Sequence, residues 1–458
     1  MSSNIRVITV ATEKTDGLAR LRASAVKHGI NLEVLGLDGH WTGGNISRLE
    51  NPGGGQKINF VKQYIKSLDN DTVIIFVDGY DVVFMGPLWA IMEKYKSLKH
   101  KVLFTAERTC WPDTSLSKRY PHVNSEYKFL NSGTFVAEVG ELKKITEEEI
   151  NNTDDDQLYY SLRFLSNSFD MGLDYECKLF QPTEGCWSDV EYIHEEKEEL
   201  TNTVFGTKPL VMHGNGSPRA KVFFNRVCDY VLREPTNEKE HSRDCSISMF
   251  VFAKSHDDLE AFVLGLVHLN YPKDKISVYF CSTRDRLSKK AVSLLTEFKS
   301  FTFKESQIGP EQRDEALRYA SELDDDYVFF IDDNCILENP YTLENMMRAN
   351  KNIISPVLLV KDTWTTTFWR GVDDAGWYEE FKDFFNIVDR SHKGLWNCPH
   401  ASSCILMKKD FVKKSLGKFS LNYDDNKGDY ITFCANLRDS GDFIYVDNRE
   451  IYGRLSSG

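Results

Sequence analysis

The sequence predicts an α/β protein of two tandem domains, each built on a mostly parallel central sheet, and three observations carry that prediction. The chain has 458 residues, room for about two or three domains. Two distant segments, residues 5–12 and 246–253, open alike, each a β-rich run followed by a polar turn and a helical pattern. In each half, apolar runs then alternate with helical ones. The first half reaches an apolar run at 72–77 that ends in Asp78-Gly79-Tyr80-Asp81, the second a run at 327–331 that ends in Asp332-Asp333-Asn334. Continuous apolar runs between helices read as strands buried on both faces.

Element by element, residues 18–28 and 259–269 form the helices after the two openings, the second N-capped by Ser255 or Asp257. Gly53-Gly54-Gly55-Gln56-Lys57 opens another helical segment, and residues 158–164 form a helix entered from an acidic run. The polar, proline-containing stretch 233–244 is the boundary, which gives domains of 1–235 and 246–458.

Hydrophobic residues make up 41% and charged residues 27%, so a packed core is expected and global disorder is not. The net charge of −13 argues against nucleic-acid or anionic-membrane binding through net charge. No apolar run approaches about 18 residues, so no transmembrane helix is expected. The opening Met-Ser-Ser-Asn-Ile-Arg runs into a strand pattern without a basic and then apolar leader, so no signal peptide is expected in this chain. Of the ten cysteines, Cys177 with Cys186 and Cys228 with Cys245 could form local disulfides or be buried free thiols. Sequons stand at Asn45, Asn70 and Asn151; a fourth, at Asn215, is expected to be unmodified.

The acidic turn is the strongest chemical signal. In open parallel sheets ligands sit beyond the carboxyl ends of the strands. Asp78 and Asp81, three apart across a tight turn, could converge on a hard divalent cation that also holds the diphosphate of a nucleotide sugar. They could equally cap the following segment. His213, at the end of a strand and before Gly214-Asn215-Gly216, could supply a third ligand, with the glycines admitting phosphate oxygens to backbone N–H groups. Alone it reads as a turn-capping histidine. Together the three side chains make an O,O,N set suited to manganese.

Other residues keep two readings. Lys57 could reach phosphate or ribose, or be a solvated lysine in a loop. Trp41 could wall a base or sugar, or anchor the core. Asp154, Asp155 and Asp156 could orient sugar hydroxyls, or be a solvated run and helix cap. Asn131 fits a strand–turn where its amide could bond a sugar hydroxyl, and Trp111 lies in a loop where its indole could stack on a pyranose. The string His256-Asp257-Asp258 could open an iron-binding triad, but it falls in a strand-to-helix loop with no distal histidine in place, and that reading is rejected.

The first half resembles the glycosyltransferase domain of the multifunctional procollagen lysyl hydroxylases. The resemblance rests on Val7-Ile-Thr-Val-Ala-Thr12, Trp41-Thr-Gly-Gly44, Gly53-Gly-Gly-Gln-Lys57, Phe76-Val-Asp-Gly-Tyr-Asp81, Phe129-Leu-Asn-Ser-Gly133, Asp154-Asp-Asp-Gln-Leu158 and His213-Gly-Asn-Gly216. The second half resembles that family's accessory domain through Asn270-Tyr-Pro272, Asn352-Ile-Ile-Ser-Pro356, Phe368-Trp-Arg-Gly371, Leu395-Trp-Asn397 and Phe433-Cys-Ala435. The family's iron- and 2-oxoglutarate-dependent module would follow Gly453-Arg-Leu455.

The resemblance implies two GT-A-like, Rossmann-type domains, the first catalytic and the second a non-catalytic accessory domain, with Asn334 where a second carboxylate would be expected. It implies Mn2+ held by Asp78, Asp81 and His213. It implies donor UDP-sugar contacts from Thr12, Trp41, Lys57, Tyr80, Gly214, Asn215 and Gly216, and sugar and acceptor contacts from Trp111, Asn131, Asp155 and Asp156. The implied reaction moves glucose from UDP-glucose to galactosyl-5-hydroxylysine of collagen, with galactose from UDP-galactose to hydroxylysine as a second activity. The alternative is an inactive UDP-sugar-binding or collagen-binding scaffold. The family further implies the endoplasmic reticulum lumen or secretion, and leaves room for a homodimer. Two departures stand out: Ser217-Pro218 adds a residue after the glycines, which leaves open whether Arg219 or Lys221 faces the diphosphate, and Ile46 replaces a valine near the uridine.

Overall fold

The computed structural model describes residues 4–44, 53–193, 199–233, 243–254, 258–283 and 287–456. Asn45, Ile46, Ser255, His256, Asp257 and the middle of the expected boundary, 234–242, lie outside the described residues. The chain divides into two units, Met1–Leu232 and Arg233–Gly458. Both are α/β with parallel-rich central sheets, the class the sequence predicts.

In the first unit the elements run β1 (Ile5–Val10), α1 (Asp16–Lys27), β2 (Leu32–Leu35), α2 (Gly55–Ile65), β3 (Val73–Asp78), β4 (Val82–Phe84), α3 (Leu88–Leu98), β5 (Val102–Glu107), β6 (Phe129–Glu138), α4 (Val139–Ile145), α5 (Asp156–Ser166) and β7 (Met171–Asp174). They end with β8 (Phe180–Pro182), β9 (Val190–Ile193), β10 (Glu199–Asn202), β11 (Val211–His213) and α6 (Pro218–Val231). A six-stranded sheet has the order β2-β1-β3-β6-β5-β7, with β6 antiparallel to both neighbours. Strand β3 shows why its sequence is apolar throughout. Ile74 and Phe76 pack into a core with Ile58 and Tyr160, while Ile75 and Val77 pack into the opposite core with Leu21 and Ile91. A smaller sheet, β4-β11-β8, sets His213 opposite Val82, the residue after Asp81. The β5–β6 register shifts between Phe104, opposite Phe135, and Thr105, opposite Asn131, so Ser132, Gly133 and Thr134 bulge out of that ladder beside the carboxyl end of β3.

The second unit repeats this plan: β12 (Ile247–Ala253), α7 (Leu259–Val267), β13 (Ile276–Ser282), α8 (Lys289–Leu295), β14 (Ser300–Glu305), α9 (Pro310–Glu322), β15 (Tyr327–Asp332), β16 (Cys335–Leu337), α10 (Thr342–Arg348) and β17 (Ile353–Pro356). It continues with β18 (Phe368–Trp369), α11 (Lys382–Val388), β19 (Leu395–Asn397), β20 (His400–Ala401), β21 (Cys404–Lys408), α12 (Lys409–Ser415), α13 (Asp429–Asp439), β22 (Tyr445–Asp447) and β23 (Gly453–Leu455). Its eight-stranded sheet has the order β14-β13-β12-β15-β21-β17-β22-β19, with β21 antiparallel to β15 as β6 is to β3.

Several local expectations are corrected. Helix α1 starts two residues early because the Thr15 hydroxyl accepts from Leu18 N–H at 3.2 Å. Helix α5 likewise starts at Asp156, capped by Asp155, whose carboxylate accepts from Leu158 N–H at 2.6 Å. Of the two readings left open for Cys177 with Cys186 and Cys228 with Cys245, the structure has the free thiols, and all ten cysteines are unpaired by disulfides. Among the described residues no helix is long and apolar enough to cross a membrane.

Burial gives one pH-dependent strain. His400 is 6% exposed and lies against the Trp369 ring, 4.4 Å between centroids. Burial, helped by Arg438, pushes its pKa from 6.5 down to about 3. The folded chain therefore refuses a proton that the unfolded chain accepts. The stability this confers is complete above pH 6.5 and is lost as pH falls toward 3, with a slope approaching about 1.4 kcal/mol per pH unit. Denaturant unfolding of wild type and His400→Phe between pH 7 and 4.5 is expected to show a shallower decline in the variant.

Candidate active site

At the carboxyl end of β3, ligand-type atoms of Asp78, Asp81 and His213 all lie within 4.8 Å of one another. The imidazole Nε2 is 3.5 Å from Asp81 Oδ1 and 3.8 Å from Asp78 Oδ2. The backbone forces the convergence: β11 lies antiparallel to β4, and Gly214 N–H donates to the Asp81 carbonyl at 2.7 Å. Gly133 sits between them, since a Cβ there would fall 2.2 Å from His213 Cε1 and 2.8 Å from Asp78 Oδ2.

A second layer settles which imidazole nitrogen faces the carboxylates. The buried Glu107 accepts from Gln157 Nε2 at 2.7 Å, Asn131 Nδ2 at 3.2 Å and Asn215 Nδ2 at 2.8 Å. With its NH2 turned to Glu107, Asn131 presents Oδ1 to Gly133 N–H at 3.0 Å and to His213 Nδ1 at 3.1 Å. An acceptor facing Nδ1 requires the proton there, so the neutral imidazole turns its Nε2 lone pair toward Asp78 and Asp81. Burial raises the Glu107 pKa to about 7, although the Gln157 and Asn131 hydrogen bonds pull it down. His213 is lowered by burial but raised more by Asp81 and Asp78. Asp81, pushed up by burial, is brought below the usual carboxylate range by Lys221 and His213. Asp78 goes the other way, since burial outweighs Lys57 and His213.

Beside this corner lies a buried ion triad. Lys57 is 6% exposed, and its Nζ is 3.0 Å from Asp78 and 2.8 Å from Asp156. It is therefore not the solvated loop lysine of the alternative reading. Burial alone would lower its pKa; Asp156 and Asp78 reverse that and hold it charged. Asp156 also accepts from Ser132 Oγ at 2.9 Å. Gly54, at φ +110°, enters α2 with no room for a side chain, since a Cβ would meet Asp156 Oδ1 at 2.1 Å. Asp155 is buried as well as capping, and burial followed by the Asp156 charge raises its pKa to about 6.

The profile of the PLOD GT domain matches residues 1–241. The chain belongs to the PLOD GT domain family. A second profile, the N-terminal domain of glycosyltransferase family 25, matches residues 307–457. Procollagen-lysine,2-oxoglutarate 5-dioxygenase 1 of Gallus gallus is 31% identical over 484 residues, covering 99% of this chain and 66% of the relative. The multifunctional procollagen lysine hydroxylase and glycosyltransferase of Caenorhabditis elegans is 33% identical, covering 98% of this chain and 65% of the relative. The chain thus spans just under two thirds of these proteins. Among solved structures, a mannosyltransferase of Pyrobaculum calidifontis in complex with GDP-Man and Mn2+ aligns at a TM-score of 0.31 and 14% identity, over 47% of this chain and 61% of that one, a likeness too slight to build on.

The other residues singled out by sequence lie around these two clusters. Tyr80, in the turn between the carboxylates, accepts at its hydroxyl from the N–H of Thr12 at 3.1 Å and of Glu13 at 3.2 Å. Trp41 is half-buried, its indole N–H bonded to the Gly44 carbonyl at 2.8 Å. Asn215 Oδ1 accepts from Thr183 N–H at 2.9 Å, and Gly216 has φ +97°. Trp111 is half-buried, its carbonyl 3.4 Å from Gln157 Nε2. Asn131 spends both amide atoms within the protein. Lys221 Nζ is 3.4 Å from Asp81, while Arg219 stacks on Trp187 at 4.1 Å. Sequence reasoning missed Glu107, Gln157 and Ser132. Only the last two, lying inside the motifs around Asn131 and Asp156, left a trace there.

Among its described residues the second unit has the ion triad without the metal-type corner. Arg313, on α9, forks onto Asp332 at 2.9 and 3.1 Å and reaches Asp429 at 2.6 Å, while Tyr430 Oη accepts from Arg313 at 2.8 Å and donates to Asp332 at 3.0 Å. Asp332 ends β15 as Asp78 ends β3, and Asp429 opens α13 as Asp156 opens α5. β23 pairs antiparallel with β16, and Ser456 N–H donates to the Asn334 carbonyl at 2.8 Å, the counterpart of the Gly214–Asp81 bond. By that register Leu455 stands where His213 stands, and Asn334 where Asp81 stands.

Removing the cation of a buried triad strands its carboxylates. Lys57→Met is expected to lower unfolding stability by about 3–5 kcal/mol. Adding Asp156→Asn is expected to return part of that loss, a non-additivity readable from urea midpoints of the two single variants and the double.

Proposed function

We propose that the first unit is a divalent-metal-dependent glycosyltransferase that moves glucose from UDP-glucose to galactosyl-5-hydroxylysine of collagen, with galactosyl transfer from UDP-galactose to hydroxylysine as a companion activity. The observation that carries it is the convergence of Asp78, Asp81 and a Nε2-presenting His213 at the carboxyl end of the central strand. Membership of the PLOD GT domain family supports the reaction class, and the C. elegans relative is itself named as a lysine hydroxylase and glycosyltransferase.

Two carboxylates and one imidazole lone pair fit Mn2+, whereas a softer metal would favour thiolate donors. When bound there, the cation neutralises charge developing on the leaving diphosphate. This chain's own residues do the rest. Lys221 adds a cation beside Asp81, and the Gly214–Gly216 turn offers backbone N–H groups to phosphate. Thr12, Trp41 and Tyr80 border the donor, and Lys57 holds Asp78 and Asp156 in one geometry. Asp156, Asp155 and Trp111 belong to the sugar and acceptor side, while Asn131 acts on the metal corner by orienting His213. The second unit, with Asn334 and Leu455 at the metal corner and a guanidinium over Asp332, is a scaffold that takes no metal. The endoplasmic reticulum lumen or the cell exterior is the compartment that goes with this reading, supported by relatives named for procollagen lysine.

Transfer to galactosyl-hydroxylysine peptide should require Mn2+ and fall below detection in Asp78→Ala and Asp81→Ala, while both variants keep the wild-type circular dichroism spectrum. Normal Mn2+-dependent transfer by either variant would remove the assignment. Comparing UDP-glucose with UDP-galactose on both acceptors decides the donor.

Asp156→Asn separates donor binding from chemistry. UDP affinity, measured by calorimetry with Mn2+, is expected to stay within a few-fold of wild type while kcat falls at least about 100-fold, the pattern of a group needed in the transition state rather than for binding. A collapse of UDP binding would move Asp156 to the donor side.

A further inference from the structure

Arg20 lies on α1, away from every motif described above, yet it is 8% exposed and points under the metal-type corner. One guanidinium nitrogen donates to the Tyr80 carbonyl, in the turn between Asp78 and Asp81, at 3.2 Å. Another donates to Asn225 Oδ1 on α6 at 2.5 Å. The guanidinium carbon stands 4.5 Å over the Phe224 ring. That ring in turn lies against Gly214, where a Cβ would fall 2.3 Å from Phe224 Cδ1. Helix α1 comes close enough that a Cβ on Gly17 would sit 2.3 Å from the Tyr80 carbonyl oxygen.

These contacts close a ring. Arg20 holds the Tyr80 carbonyl; the next residue, Asp81, takes the Gly214 N–H; Gly214 rests on Phe224; and Phe224 carries Arg20. The ring passes through both strands of the corner, the turn that bears Asp81 and the strand end that bears His213. Only a planar, multiply donating cation can bond a carbonyl, bond an amide and stack on a ring at once. The second unit offers an internal contrast. Its corner carries Asn334 and Leu455, and helix α7, the counterpart of α1, contains no arginine.

We infer that Arg20 is a positioning residue for the Asp81–His213 pair, setting the spacing of two metal ligands from beneath without touching the metal. The inference rests on the metal-binding reading of the first unit.

The test is Mn2+ binding to the full chain, read from the electron paramagnetic resonance signal of free Mn2+, beside thermal unfolding of the metal-free protein. Arg20→Met keeps an alkyl stem over Phe224 and is expected to weaken Mn2+ binding about 10–100-fold, the size of loss seen when groups supporting metal ligands are removed. Arg20→Lys should recover only part of it, and exposed Arg22→Ala none of the loss should appear. Phe224→Leu breaks the ring at its other end and guards against misfolding of the arginine variants. It should weaken Mn2+ binding too, with Arg20→Met and Phe224→Leu together costing less than the product of their separate effects. Wild-type Mn2+ affinity in folded Arg20→Met, or independent effects in the double variant, would overturn the inference while leaving the metal site standing. A wild-type chain that binds no Mn2+ would overturn the metal reading, and this inference with it.

Discussion

The Lys57 ammonium sits between Asp78 at the end of β3 and Asp156 at the start of α5, and much of the first unit is arranged so that it can. A buried ammonium is tolerable only with carboxylates in contact, and buried carboxylates only with a cation. The triad therefore ties a strand end, the first turn of α2 and the first turn of α5 to one point. Its neighbours follow from that. Gly54 has no side chain because Asp156 occupies the space, and Gly55 N–H and Gln56 N–H are bonded to the carbonyls of Asp154 and Asn152. The glycine-rich loop and the acidic run are thus two faces of one junction.

Around the metal-type corner the constraint is of another kind. Three carboxamides, from β6, α5 and the turn after β11, converge on Glu107. Their orientation fixes the Asn131 oxygen, and that oxygen fixes the His213 proton. A carboxamide chain of this kind works only when every member is satisfied. The bulge in β6 supplies the space, since it lifts Ser132 toward Asp156 and leaves Gly133 against His213. One irregularity in a ladder serves both clusters.

The parts of this arrangement that could be read from sequence are those whose cause is local. The run at 72–77 announces a strand buried on both faces, and the acidic turn follows it directly. Lys57 is different, because its burial depends on Asp156, about a hundred positions on, and no window of sequence contains both. Asp155 and Asp156 were readable as a helix cap or as site residues, and the structure makes Asp155 a cap while burying both. Glu107 and Arg20 gave no signal because their partners come from five other segments. The cysteine spacings left disulfide and free thiol equally open for the same reason: proximity in sequence does not say where a thiol points, and Cys177, Cys186 and Cys228 are buried free thiols while Cys245 is only half-buried.

Comparison of the two units separates what the fold needs from what the corner adds. Both keep a cation from the helix before the central strand, a carboxylate ending that strand and a carboxylate opening a later helix. Both keep the backbone bond that joins the acidic turn to the antiparallel partner strand. Asn334 and Leu455 interrupt neither. An imidazole in the place of Leu455 would demand a carboxamide layer to orient it and an acidic partner to face it. The second unit instead sets a fork-shaped guanidinium on Asp332, pairing that carboxylate through two nitrogens. The ion triad therefore belongs to the architecture of both halves, and the three metal-type ligands are an addition made on one of them.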